Sequence, residues 1–102
     1  MSKGYWIARV DVRDPEAYKG YAAASVEAVA KYGARFVVRG GTSQVVEGRA
    51  RERNVVLEFP SYQAALDCSR SAEYARAKAL RVAVSDADII IIEGYDGAQP
   101  GD

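Results

Sequence analysis

Asp88-Ile89-Ile90-Ile91-Ile92-Glu93-Gly94-Tyr95 sets four isoleucines in a row near the end of a 102-residue chain. β-Branched residues fit a pleated strand, and successive strand side chains point to opposite faces. The run therefore puts isoleucine on both sides of whatever sheet it joins. A strand of this kind expects cover on both faces. The rest of the chain can be read for what supplies the sheet and what supplies the cover.

Working back from this strand, Ser71 caps a helix from Ala72 to about Val84, and Ser61 caps a shorter one to about Ser69. Arg53 to Phe59 alternates as a strand stopped by Pro60, after a polar turn over Gly48 to Glu52. Arg35 to Arg39 alternates as another strand. Gly40-Gly41 reads as a bulge or bend in it, and Thr42 to Glu47 as its continuation. Asp14-Pro15 is a helix start. That helix runs to about Tyr32, with Tyr18, Tyr21, Ala22, Ser25, Val29 and Tyr32 as its inner stripe and Gly33 as its C-cap. Lys3 to Val12 opens the chain as a strand. The order β-α-β-β-α-β predicts a ferredoxin-like α+β domain over residues 1–95. It has a four-stranded antiparallel sheet with its helices on one side. Residues 96–102, rich in Gly and Pro, read as a flexible tail.

Composition narrows the function classes. Lys plus Arg equals Asp plus Glu at 14 each, so the chain has no basic footprint for nucleic acid or an anionic membrane. It has no histidine and one cysteine, Cys68, which predicts no haem, no tightly bound transition metal and no internal disulfide. No cofactor is expected. No apolar run approaches the ~20 residues of a membrane span. The first strand carries charge instead of an apolar leader, so a cytoplasmic protein is expected. At this length the chain buries roughly two-thirds of its unfolded surface and needs no metal or disulfide to fold.

Strand parity then divides the sheet. Trp6, Ala8, Val10, Phe36, Val38, Val55, Leu57, Phe59, Ile90 and Ile92 form an uncharged set that belongs under the helices. Tyr5, Ile7, Arg9, Arg35, Val37, Arg39, Asn54, Val56, Glu58, Ile89, Ile91 and Glu93 form a mixed set. Ile7, Val37, Val56, Ile89 and Ile91 would make an exposed apolar patch on that second face, the usual mark of an interface or a ligand site. A second copy of the chain is the expected cover.

These segments resemble a known group. Gly4-Tyr5-Trp6-Ile7-Ala8, Asp14 with Tyr18 and Tyr21, Arg39-Gly40-Gly41 and Glu47-Gly48 carry the likeness. So do Asn54-Val55-Val56-Leu57-Glu58-Phe59-Pro60-Ser61, Ser71 with Glu73-Tyr74, Arg81, and Glu93-Gly94. The chain resembles the dimeric α+β barrel superfamily, and within it a bacterial domain-of-unknown-function group of about 100 residues, over about residues 3 to 95. The resemblance implies a ferredoxin-like fold and a homodimer in which two sheets face each other. It implies no single activity, since the superfamily includes cofactor-free monooxygenases, isomerases, decarboxylases, haem enzymes and ligand-sensing domains.

Arg9, Arg39, Glu58 and Glu93 have the parity to enter the space between two sheets, where charge must be paired or hydrogen-bonded. They are candidates to hold a small carboxylate or phenolate, with Arg39 as a planar fork and Glu58 or Glu93 as a base. The alternative is an Arg–Glu network that fixes dimer register. Tyr18, Tyr21 and Tyr74 are candidate donors to an oxyanion, or core residues with one wet end. Arg81 either serves its own helix terminus or, on the family pattern, reaches a ligand. Arg49, Arg51 and Arg53 read as a solvated hairpin, Cys68 as a packed thiol, and Asp86 with Asp88 as too few ligands for a cation cage. The leading function is therefore a homodimer that binds a small acid or phenol at the open sheet face. The alternatives are a cofactor-free enzyme, monooxygenase- or isomerase-like, acting on such a compound, and a purely structural pairing protein.

Overall fold

The computed structural model describes residues 2–102. Its elements are β1 (Gly4–Val12), α1 (Pro15–Ala30), β2 (Arg35–Arg39), β3 (Arg53–Phe59), α2 (Tyr62–Ser69), α3 (Ala72–Val82) and β4 (Ser85–Glu93). The sheet order is β2-β3-β1-β4 with every neighbouring pair antiparallel, the ferredoxin-like α+β arrangement. Three side-chain caps start the helices: Asp14 accepts from the Ala17 amide, Ser61 from Ala64 and Ser71 from Tyr74. Each contributes about 1 kcal/mol. Gly33, at φ 77°, turns the chain out of α1, and the Ala34 amide returns to the Val29 carbonyl. Among the described residues no helix is long and apolar enough to cross a membrane.

The core gathers where β1 and β3 meet the helices. Trp6 packs tilted against Phe59, ring centroids 5.2 Å apart, and edge-on against Tyr74 at 4.8 Å, and its indole N–H donates to the Ala65 carbonyl at 2.9 Å. Phe59, Ala65, Cys68 and Ala77 complete a buried layer. Phe59 has no exposed surface. Phe59→Ala should therefore cost roughly 3–5 kcal/mol, as truncating a buried aromatic ring usually does; urea denaturation will measure it.

Register corrects the parity expected from sequence at both ends of the sheet. Trp6 lies opposite Ile91 and Ala8 opposite Ile89, so Ile89 and Ile91 face the helices. Ile90 and Ile92 lie on the open side, 55% and 47% exposed. With isoleucine at all four places, nothing in the run itself chooses between the two settings; the pairing to β1 does. On β2, the register slips between Phe36 and Val38: Phe36 lies opposite Leu57, Val38 opposite Val56 and Arg39 opposite Val55. One extra residue on a bulged strand inverts every later side chain. Val38 thus moves to the open face, and Arg39 moves to the helix side. Glu93 pairs with Gly4 at the sheet's end and stands in solvent.

The bulge precedes Gly40-Gly41 instead of occupying it, and β2 stops at Arg39. Gly40, at φ 63°, makes one last ladder bond to the Asn54 carbonyl. Thr42 to Glu47 then runs outside the sheet, with Val46 88% exposed.

Candidate functional site

α1 and α3 lie over the helix-side face of the sheet without filling it. A solvent-open cavity of about 730 Å³ lies beside α3 and β4, walled by Trp6, Tyr74, Lys78, Arg81, Ile89 and Ile91. A tighter chamber of about 40 Å³ lies between α1 and β2–β3, walled by Tyr18, Tyr21, Phe36, Arg39 and Arg53. Trp6 and Ile89 border both, so the two form a cleft with a common floor.

This cleft is cationic although the chain is neutral. Arg39, Arg51, Arg53, Lys78 and Arg81 line it, against one carboxylate, Asp86. Asp86 is itself held by Arg13 at 2.7 Å, and Arg51 bridges Asp11 and Asp88 at 2.8 Å each. Arg39, Arg53, Lys78 and Arg81 form no ion pair among the described residues.

Arg81 is the most unusual of these. It is 7% exposed, and no group accepts from its Nε–H, which is shut off from solvent. Arginine almost never reaches that burial unpaired. It stands over the Tyr21 ring at 5.5 Å, a cation–π contact that offsets part of the desolvation cost. Arg53 repeats the pattern on β3: its guanidinium lies 5.8 Å from the Tyr18 ring, and its Nε–H is also buried without an acceptor. Gly40 makes room for it, since a Cβ there would sit 2.7 Å from an Arg53 Nη. Arg39 lies over Phe36 at 4.0 Å.

The tyrosines supply further donors. Tyr21 and Tyr74 share a hydrogen bond at 3.0 Å between their hydroxyls. One hydroxyl gives its proton to the other, and the accepting one keeps a free O–H. Burial, reinforced by Tyr74, pushes the Tyr21 phenol far above its ordinary range; burial also raises Tyr18, against the opposing pull of Arg53. Both are neutral donors near pH 7 and not bases. Cys68, fully buried, has its thiol pushed up to about 12 by burial, and packs as expected of a structural thiol. These three groups share one sign. Their folded pKa values lie above the unfolded ones, so the stability they contribute is complete at neutral pH. It is lost as pH rises past the unfolded thiol value near 9 toward about 12. Melting temperature should therefore fall through that window, and Cys68→Ala should reduce the fall.

The residues expected from sequence divide accordingly. Tyr18, Tyr21, Tyr74, Arg81 and the displaced Arg39 converge on the helix-side cleft. Arg9 and Glu58 lie on the opposite, open face, where Glu58 accepts from the Tyr5 hydroxyl at 3.2 Å. Glu93 is at the sheet's end. The expected grouping of Arg9, Arg39, Glu58 and Glu93 is therefore not one site, and none of the four forms an ion pair among the described residues. Arg53, expected in a solvated hairpin, instead stands on β3 in line with Val55, Leu57 and Phe59; an arginine on a core stripe is the signal in the sequence that marks it. Asp86 and Asp88 hold arginines, and among the described residues no three acidic or Cys side chains cluster as metal ligands.

Residues 3–95 match the family model described as Domain of unknown function (DUF1330), and the chain belongs to that family. No curated protein matches it. Among solved structures, RPA0582 from Rhodopseudomonas palustris, a protein of unknown function, is similar with a TM-score of 0.76 and 20% identity, covering 94% of this chain and 85% of that one. SnoaB from Streptomyces nogalater, a cofactor-independent oxygenase, is similar with a TM-score of 0.63 and 13% identity, covering 98% and 99%. Rv0793 from Mycobacterium tuberculosis is similar with a TM-score of 0.55 and 16% identity, covering 96% and 100%. At these identities the likeness is one of fold, the ferredoxin-like fold implied by the resemblance to the dimeric α+β barrel superfamily.

Proposed function

We propose that this DUF1330 domain is a homodimer that binds a small organic anion, a carboxylate or phenolate, in its helix-side cleft against Arg81. One observation carries the reading: an arginine that is 7% exposed, its Nε–H shut away from solvent, with no acceptor and no carboxylate partner among the described residues. A buried donor left unmade costs about 1–3 kcal/mol, more when charged. A fold that retains such a group without using it gives up stability for nothing. Carboxylates and phenolates are acceptors that match the planar fork, and the Tyr74 hydroxyl, paired with that of Tyr21, borders the same cavity as Arg81. The aromatic walls suit a partly apolar body. The dimer is supported separately, by the uncovered Ile7, Val38, Val56, Ile90 and Ile92 of the open face.

A second reading makes the same cleft catalytic. The donor set favours it, because an arginine and neutral phenols aimed at one acceptor also stabilise charge that develops during a reaction. The candidate bases Glu58 and Glu93 lie outside this cleft, and the carboxylate that lines it, Asp86, is held by Arg13, so such an enzyme suits a compound that ionises readily.

A thermal-shift screen of the purified protein against benzoate, phenylacetate, 4-hydroxybenzoate and simple phenols tests the proposal. A ligand selective for the folded state raises the melting temperature, by about 2.7 kcal/mol of stabilisation at one hundred times Kd. At least one carboxylate is expected to do so in a saturable way. No shift with any acid or phenol would leave structural pairing as the function. Mass and ¹H NMR analysis of the recovered ligand after incubation in air separates the readings: an unchanged mass and spectrum mean binding, a new mass or a new spectrum means turnover.

A further inference from the structure

We infer that the cleft is built for a two-headed acid, with one acidic group at Arg81 and a second in the small chamber at Arg53. This rests on the binding reading above and names the ligand class. The two guanidiniums with buried, unaccepted Nε–H groups do not share a cavity. Arg81 walls the large one and Arg53 the small one, with Trp6 and Ile89 as the floor common to both. They stand over different rings, Tyr21 and Tyr18, whose centroids are 5.3 Å apart. A single carboxylate seated at one therefore leaves the other guanidinium without a counter-charge among the described residues.

The chambers differ in size in a way that assigns the two heads. About 40 Å³ is a few times the ~10–15 Å³ that a cavity needs to hold one water, room for a compact head such as a carboxylate. The larger cavity, about 730 Å³, takes the ligand's body and its other acid. Charge agrees. Arg39 adds a second unpaired cation to the small chamber and Lys78 one to the large cavity, with no carboxylate free at either. The spacer between the heads runs past Trp6, Tyr18 and Tyr21, so a planar or unsaturated dicarboxylate suits it better than a flexible polar one.

Calorimetric titration of the full chain with benzoate, isophthalate, terephthalate and fumarate tests this. At least one dicarboxylate is expected to bind tenfold or more tightly than benzoate. In Arg53→Met the dicarboxylate should lose tenfold or more in affinity, and benzoate much less, so that the advantage disappears. If benzoate binds and no dicarboxylate exceeds it, the cleft is one-headed and this inference is overturned while the binding reading stands. The wild-type comparison decides this even if the variant folds poorly. If Arg53→Met weakens benzoate and dicarboxylates alike, Arg53 serves the same head as Arg81, and the inference again fails. If none of the four binds and the wider acid and phenol screen also shows no shift, both readings fall together.

Discussion

Arg81→Met is expected to weaken binding of a carboxylate roughly 10- to 150-fold while leaving the fold as stable as before, or more so. A hydrogen bond to a charged group contributes about 1.5–3 kcal/mol, and each 1.4 kcal/mol is tenfold in affinity. Methionine keeps a long apolar stem at a position that is 7% exposed, so the packing around Tyr21 and Tyr74 survives. It removes a buried cation that has no counter-charge among the described residues, and relief of that desolvation raises stability by up to about 1–3 kcal/mol. A structural arginine gives the opposite sign. Breaking a satisfied buried network costs roughly 3–5 kcal/mol, so a melting temperature that drops sharply in Arg81→Met would place Arg81 in the scaffold. Calorimetry and thermal denaturation of the same sample read both quantities.

Ile90→Lys should convert dimer to monomer without unfolding the chain, whereas Ile91→Lys, one residue on, should unfold it. Ile90 is 55% exposed on the open face, beside Ile7, and Ile91 packs against the core. In a dimer closed over the open faces, two-fold symmetry places the new ammonium in the interface twice. Burying an unpaired charge costs several kcal/mol, so the dimer should weaken on the order of 10³-fold or more. In an isolated chain the same lysine simply stays in water. Sedimentation at micromolar concentration will check both parts. A wild-type monomer there would remove the dimer from the account, and a dimer persisting in Ile90→Lys would put the interface elsewhere.

The architecture could be read from the chain because its signals are local and redundant. Asp14-Pro15, Ser61 and Ser71 mark helix starts that the backbone uses, and Pro60 closes β3. The faces of the sheet were less legible because they depend on register, which is a long-range property. Four identical isoleucines give the same apolar count in either setting, and only the pairing of β4 with β1 resolves them. A single slip between Phe36 and Val38 carried Arg39 from one side of the sheet to the other. The site followed the faces. Tyr18, Tyr21, Tyr74 and Arg81 could be picked out because helix periodicity and the family pattern mark them. Arg53 was hidden among Arg49 and Arg51, residues whose spacing is the same but whose surroundings are solvent and an ion-paired loop. Charge summed over the whole chain also concealed the cleft, because zero net charge is compatible with a strongly cationic interior surface.

Trp6 is the chain's only tryptophan, and it forms the floor shared by both parts of the cleft. Its indole N–H, donated to the Ala65 carbonyl, gives a single signal in a ¹H–¹⁵N spectrum of the labelled protein. Following that signal while terephthalate or benzoate is added is the most direct test that an organic anion enters this cleft. A saturable shift of the Trp6 signal is expected in the wild-type protein and is expected to be lost in Arg81→Met. A Trp6 signal that stays fixed while resonances of the open face, around Arg9 and Glu58, move to saturation would place the ligand on the other side of the sheet and overturn the helix-side site.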